Sequence, residues 1–164
     1  MTTQKDLLSA KQSAFRLIKF RARSEKEIRD KLKDKGYEAT VIDQAVEFLQ
    51  KARFLDDALF AKLWVESRVK RFIGVKRLIF ELKKKGIRRE LIDKTLDAVL
   101  KDKNEDEAIR ELIDIKLKKM RGLEPVKIMA RLYGLLLRRG YPHDKVYSAL
   151  QAAIKSKRVD ELIP

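Results

Sequence analysis

Asp56 and Asp57 are adjacent acids in RFLDDALFAKLWVESRVK (residues 53–70), just ahead of an apolar run that holds the only tryptophan, Trp64. Two neighbouring carboxylates suit acid–base chemistry or a metal site only if further groups converge on them. The next acid along the chain is Glu66, beyond the first two helical turns, and the single histidine, His143, is far away in sequence. At a helix start, by contrast, a carboxylate accepts hydrogen bonds from unpaired amides and meets the positive end of the helix dipole. The pair therefore reads as punctuation that opens a helix. With no cysteine, thiolate zinc sites and disulfides are excluded. No Gly-Lys-Ser/Thr loop is present to cradle a phosphate, and no nucleophile stands beside a base. His143, after Pro142 in GYPHDKV, suits an exposed or capping place in a first helical turn. The expectation is a protein that is not an enzyme and needs no metal or cofactor.

The residues that can meet a partner are cations. Lys76, Arg77, Lys83, Lys84, Lys85, Arg88 and Arg89 form a dense basic stretch interrupted only by Glu81, and Arg68, Lys70 and Arg71 precede it. Lys76, Lys83 and Lys84 fall on one helix face, opposite the apolar one. The chain carries a formal net charge of +15 and a pI near 10, an excess that draws polyanions. A solvated lysine face is the plain alternative to phosphate or acidic-surface contact. Phe72, in the junction Phe72-Ile73-Gly74, reads as a buried hinge aromatic rather than a stacking platform, and Tyr37 and Tyr141 as packing residues.

The elements that must carry these side chains emerge from a repeat. Leu32-Lys-Asp-Lys-Gly36-Tyr37, Leu82-Lys-Lys-Lys-Gly86-Ile87 and Leu136-Leu-Arg-Arg-Gly140-Tyr141 share one pattern. The glycines stand about 50 residues apart, in the period range of helical repeats, with the second gap four residues longer than the first. Glycine after a helix takes the left-handed conformation without strain, and cations in the last turn meet the negative dipole end. Upstream, Val75, Leu78, Ile79 and Leu82 recur at i, i+3, i+4 and i+7, with Ile28 and Leu32, and Leu132 and Leu136, in matching places. Downstream, Val41, Ile42, Ala45, Val46 and Leu49 match Leu91, Ile92, Thr95, Leu96 and Val99, with Val146, Ala149, Leu150 and Ala153 as a third copy. A further helix precedes each pair, over 15–23, 57–71 and 105–120.

The predicted fold is all-α: an elongated curved array of three tandem three-helix repeats, spanning 1–55, 56–103 and 104–164. Units of this size are marginal alone, so neighbours are expected to share apolar surface. Nine helices packed side by side would extend on the order of 70 Å. The N-terminal stretch MTTQKDLLSA lacks the basic start and long apolar core of a secretory signal, so a cytoplasmic, membrane-free monomer is expected.

RSEKEIRDKLKDKGY (23–37), ARFLDDALFAKLWVESRVK (52–70) and LIFELKKKGI (78–87) together resemble the RecX family of bacterial recombination regulators. The most recognisable part is Asp-Asp-x-x-Phe-Ala, here Asp56, Asp57, Phe60 and Ala61, followed by Gly74 and then by Leu82, Gly86 and Ile87. Trp64 lies in the same stripe. The resemblance is strongest over about residues 14–100. It implies tandem three-helix repeats that bind the RecA recombinase, free or as a filament on single-stranded DNA, and inhibit its ATPase, strand-exchange and co-protease activities. Recombinational DNA repair and the SOS response are the processes thereby tuned. The basic surface of Arg68, Lys70, Arg71, Lys76, Arg77, Lys83, Lys84, Lys85, Arg88 and Arg89 is the expected contact. A general nucleic-acid-binding module acting on DNA directly is the alternative.

Overall fold

The computed structural model describes residues 4–120 and 122–156, and among them are nine α-helices and no strand. They are α1 (Gln4–Phe20), α2 (Glu25–Asp34), α3 (Ala39–Lys51), α4 (Asp57–Val69), α5 (Val75–Lys84), α6 (Arg89–Leu100), α7 (Glu105–Leu117), α8 (Pro125–Arg138) and α9 (His143–Lys155). They form three successive groups of three, as the repeat predicts.

Local chemistry sets the boundaries. Ser24 opens α2 with a complete capping box: its hydroxyl accepts from the Glu27 amide while the Glu27 carboxylate accepts from the Ser24 amide. Asn104 caps α7 by accepting from the Asp106 and Glu107 amides at 2.9 and 3.4 Å. α2, α5 and α8 end in the same motif. Gly36, Gly86 and Gly140 take φ of +82°, +81° and +88°. The amides of Tyr37, Ile87 and Tyr141 reach back to the carbonyls of Leu32, Leu82 and Leu136 at 3.3, 3.1 and 3.3 Å. The glycine amides close the inner bonds at 2.9 Å each.

Some boundaries differ from the sequence expectation: α4 and α7 end at Val69 and Leu117, short of 71 and 120. α1 starts at Gln4 and stops at Phe20 instead of covering 15–23. Its buried face is built from Ala10, Ser13 and Ala14, whose small side chains give a weak periodic signal, and the extended backbone that Ser24 needs as a cap ends the helix early. α8 has 14 residues against 10 for α5, and this extra turn accounts for the longer second spacing.

The chain divides into two compact units, and the division falls inside α4, α5 and α6 rather than between repeats. The first unit runs to Trp64 and includes Glu81–Thr95. Its core gathers Ala10, Ala14, Ile28, Leu32, Val41, Ile42, Ala45, Val46, Leu49 and Leu55. The second unit contains Val65–Phe80 and the chain from Leu96 onward. Its core gathers Ile109, Leu112, Ile113, Leu117, Ile128, Leu132, Leu136, Tyr141, Val146, Leu150 and Ala153, with Phe72 packed against it. Each buried aliphatic side chain contributes about 1.5–3 kcal/mol, so these clusters dominate stability.

Inside each unit a helix stop seats on a helix start. In the first, the Ser24 hydroxyl donates to the Lys85 carbonyl at 2.7 Å. A Cβ on Gly86 would lie 2.6 Å from the Lys26 Cβ. In the second, the Gly74 amide donates to the Arg139 carbonyl at 2.8 Å, and a Cβ on Gly140 would lie 2.5 Å from the Arg77 backbone nitrogen. Gly74 is equally confined, because its Cβ would meet the Gly140 carbonyl at 2.8 Å. Among the described residues nothing beyond its chain neighbours lies within 4 Å of a Cβ placed on Gly36.

Gly36→Ala should therefore cost only its backbone strain, about 1 kcal/mol, whereas Gly86→Ala and Gly140→Ala should cost at least twice that. Denaturant titration followed by circular dichroism checks the order. Equal losses at all three positions would mean that close approach contributes nothing.

Candidate interaction surface

The two acids divide their labour. Asp56 caps α4, its Oδ1 accepting from the Ala58 and Leu59 amides at 2.8 and 3.0 Å. Asp57 instead reaches across to α2, where its Oδ1 accepts from the Glu25 amide at 2.8 Å. Burial raises the Asp57 pKa, and the nearby charges of Glu25 and Asp56 push the same way, against the Glu25 amide and Arg88. Each acid thus serves a helix start, but only Asp56 serves that of its own helix.

The other motif residues are packing and positioning groups. Phe60, Ala61, Leu82 and Ile87 are buried, as is Gly74. Trp64 stacks on Phe60 with ring centroids 5.6 Å apart, and its indole N–H donates to Glu81 Oε2 at 3.0 Å. The only acid in the basic stretch is thereby tied to the indole.

The basic residues differ in their contacts and exposure. Lys85 belongs to the first joint: its ammonium lies 2.5 Å from Glu27 Oε1, the two side chains being 25% and 13% exposed, and 5.0 Å from the Trp64 ring centroid. Arg89 pairs with Asp93 one turn on, at 2.8 Å. Arg77 donates to the Arg138 carbonyl at 2.8 Å. Arg68 is half-buried at the end of α4, and its carbonyl accepts from the Arg71 and Ile73 amides, helping to fold the 70–74 turn. Phe72 in that turn has φ of 56°, and the turn is held by the Arg139 guanidinium, which donates to the Arg71 and Phe72 carbonyls. The exposed set is Lys70, Arg71, Lys76, Arg77, Lys83, Lys84, Arg88 and Arg89. Lys76, Lys83 and Lys84 make no ion pair among the described residues.

Glu27 is the electrostatic centre of the first joint. Burial opposes its charge, but hydrogen bonds from Arg21, Lys85 and the Ser24 amide outweigh burial and bring its pKa down to about 2. The Arg21 guanidinium is bidentate on it, at 2.6 and 3.1 Å. The sequence reading assigned no role to Glu27, although Ser24-x-x-Glu27 is a capping-box spacing that could have marked it. It also passed over Phe80, which is 66% exposed on α5; its departure from the apolar spacing was the available signal. His143 is exposed on α9, its ring centroid 5.7 Å from Tyr133 and 6.5 Å from Tyr147. Among the described residues no three His, Asp or Glu side chains gather to hold a metal ion. No described helix is long and apolar enough to cross a membrane.

Repeated three-helix units, helix stops seated on helix starts and a solvent-facing set of cations define a tandem helical-repeat protein. The chain belongs to the RecX family. The family's first, second and third three-helix domains match residues 10–49, 56–96 and 104–150. It is similar to the regulatory protein RecX of Clostridium beijerinckii (32% identical, covering 98% of this chain and 75% of that protein). The regulatory protein RecX of Clostridium botulinum strain Eklund 17B is 31% identical, over 94% of this chain and 73% of that one. A crystal structure of RecX from Lactobacillus salivarius shares the fold, with a TM-score of 0.74 at 20% identity over 92% of this chain and 97% of that chain.

Because the Glu27 pKa is depressed, its stabilisation is present above its ordinary value of 4.5 and is lost as pH falls toward 2. Glu27→Gln should lower stability at neutral pH by on the order of 2 kcal/mol, a deficit that shrinks toward zero near pH 2. Urea midpoints of both proteins across acidic pH test this; a deficit independent of pH would assign Glu27 a purely steric role.

Proposed function

We propose that the protein regulates the RecA recombinase. It binds RecA, free and as a filament on single-stranded DNA, and inhibits its ATPase, strand-exchange and co-protease activities, so tuning recombinational repair and the SOS response. It does so in the cytoplasm, as a monomer without catalysis of its own. The observation that carries this reading is the set of exposed cations on α5, Lys76, Lys83 and Lys84, which make no ion pair among the described residues, in a chain of the RecX family. Its relatives are named as regulatory proteins. A nucleoprotein filament is a polyanion, and unpaired cations meet it without first breaking ion pairs of their own.

DNA-stimulated ATP hydrolysis by the recombinase should fall as the protein is added, and at well below one molecule per recombinase subunit. Unchanged turnover at equal amounts would sink the proposal. Lys83→Glu with Lys84→Glu should weaken filament binding and leave helical circular dichroism intact. Lys85 is best left in place, since a carboxylate there would face Glu27. Direct action on DNA is a second reading favoured by the same cations. Pull-downs with recombinase alone, DNA alone and the assembled filament separate the two.

A further inference from the structure

We infer that the aromatic face shared by α1 and the end of α3 is a docking surface for a segment of a partner protein whose apolar side chains stand among carboxylates. Three rings meet on it. The Phe15 ring centroid lies 6.4 Å from that of Phe48 and 5.0 Å from that of Phe54, edge to face in both cases. Phe15 packs against the core of the first unit, whereas Phe48 and Phe54 remain 39% and 54% exposed. Leu8, two turns before Phe15 on the same face of α1, is also exposed.

Single exposed apolar side chains are ordinary, but rings in mutual contact form a patch. The backbone is also strained where it carries one of them. The end of α3 has the hydrogen bonds of the glycine stops: the Arg53 amide donates to the Gln50 carbonyl at 3.0 Å, and the Phe54 amide to the Leu49 carbonyl at 2.9 Å. The left-handed residue here is Arg53, at φ of 59°. Glycine takes that conformation without strain, so the arginine is held against the preference of its own backbone, and such strain concentrates where a side chain has a function.

Charge selects the occupant. The Lys11 ammonium lies 3.8 Å from the Phe48 ring centroid. Arg16, Lys19 and Arg53 are exposed and make no ion pair among the described residues. Glu47, the acid next to Phe48, is matched by Lys51 one turn on. Rings set among unmatched cations are complementary to apolar side chains set among carboxylates. A second copy of the chain, at a formal net charge of +15, brings the wrong sign. A nucleobase stacks on an open, flat ring face. These rings stand at 81° to one another and Lys11 lies over one of them, so the floor is corrugated and suits aliphatic side chains instead.

Which protein offers the segment rests on the recombinase reading, so the test is isothermal titration calorimetry against DNA-free recombinase. Phe48→Ala and Phe54→Ala should each weaken binding about ten-fold. Phe54→Leu, which keeps an apolar contact with Phe15, should retain most of it and guards against misfolding as the cause. Arg53→Gly should raise the urea midpoint while weakening recombinase binding, because fold and partner make opposite demands on that position. Wild-type affinity in both alanine variants would overturn this inference and leave the recombinase reading standing, whereas no binding by the wild type would remove both. An equal loss on oligothymidylate without recombinase would assign the rings to nucleic acid. Self-association of the wild type in sedimentation that Phe54→Ala abolishes would assign them to a second copy. Either result overturns the inference.

Discussion

A carbonyl presented by the residue before a left-handed glycine, and taken by the residue just ahead of another helix, is the contact on which the rest of the structure depends. Lys85 offers its carbonyl to the Ser24 hydroxyl, and Arg139 offers its carbonyl to the Gly74 amide. The last carbonyls of any helix lack internal partners, and the first amides lack them too. At the Gly74 joint one contact satisfies orphans from both ends, while at the Ser24 joint the hydroxyl that caps α2 also satisfies the Lys85 carbonyl. Such seating works only where the backbones come close, which is why Gly86 and Gly140 face Lys26 and Arg77 at distances no Cβ tolerates. Gly36 has nearly the same φ, and among the described residues its Cβ position is open. The left-handed turn and the close approach are thus separate demands that happen to select the same residue.

The side chains around the first joint add charge to this backbone contact. Glu27 gathers Arg21, Lys85 and the Ser24 amide, and the low exposure of the Glu27–Lys85 pair shields it from solvent. Exposed helix pairs such as Arg89 with Asp93 or Lys26 with Asp30 are worth only 0–1 kcal/mol by comparison. Glu81 accepts from the Trp64 indole, and among the described residues Lys76, Lys83 and Lys84 make no ion pair.

The helices and their ends were legible because each is governed by a local rule. Leu-x-x-x-Gly followed by a large apolar residue describes a stop completely within six residues, and all three stops formed as that pattern predicts. The apolar stripes of α5 and α6 were legible for the same reason. α1 was misplaced because Ala10 and Ala14 bury little surface and barely register as a stripe. The division between Asp56 and Asp57 was illegible, since it depends on where the Glu25 amide stands in space. Lys83, Lys84 and Lys85 are identical letters in a row. Only the docked position of Ser24 and Glu27 makes Lys85 structural and leaves the other two to solvent.

That separation has a consequence for how salt acts on the molecule. Exposed cations such as Lys76, Lys83 and Lys84 are screened by ions over a Debye length of about 8–10 Å at ordinary ionic strength, so whatever they bind is released readily as salt rises. The joints respond differently. Their hydrogen bonds run between backbone and hydroxyl groups, the Glu27–Lys85 pair is mostly withdrawn from solvent, and the two cores are apolar. Screening barely reaches such contacts, and apolar burial is indifferent to it. The positive net charge, which opposes compaction through self-repulsion, is itself relieved by salt. Fold and surface therefore draw on different interactions, and a rise in ionic strength that screens the exposed cations of α5 leaves the repeats that present them intact.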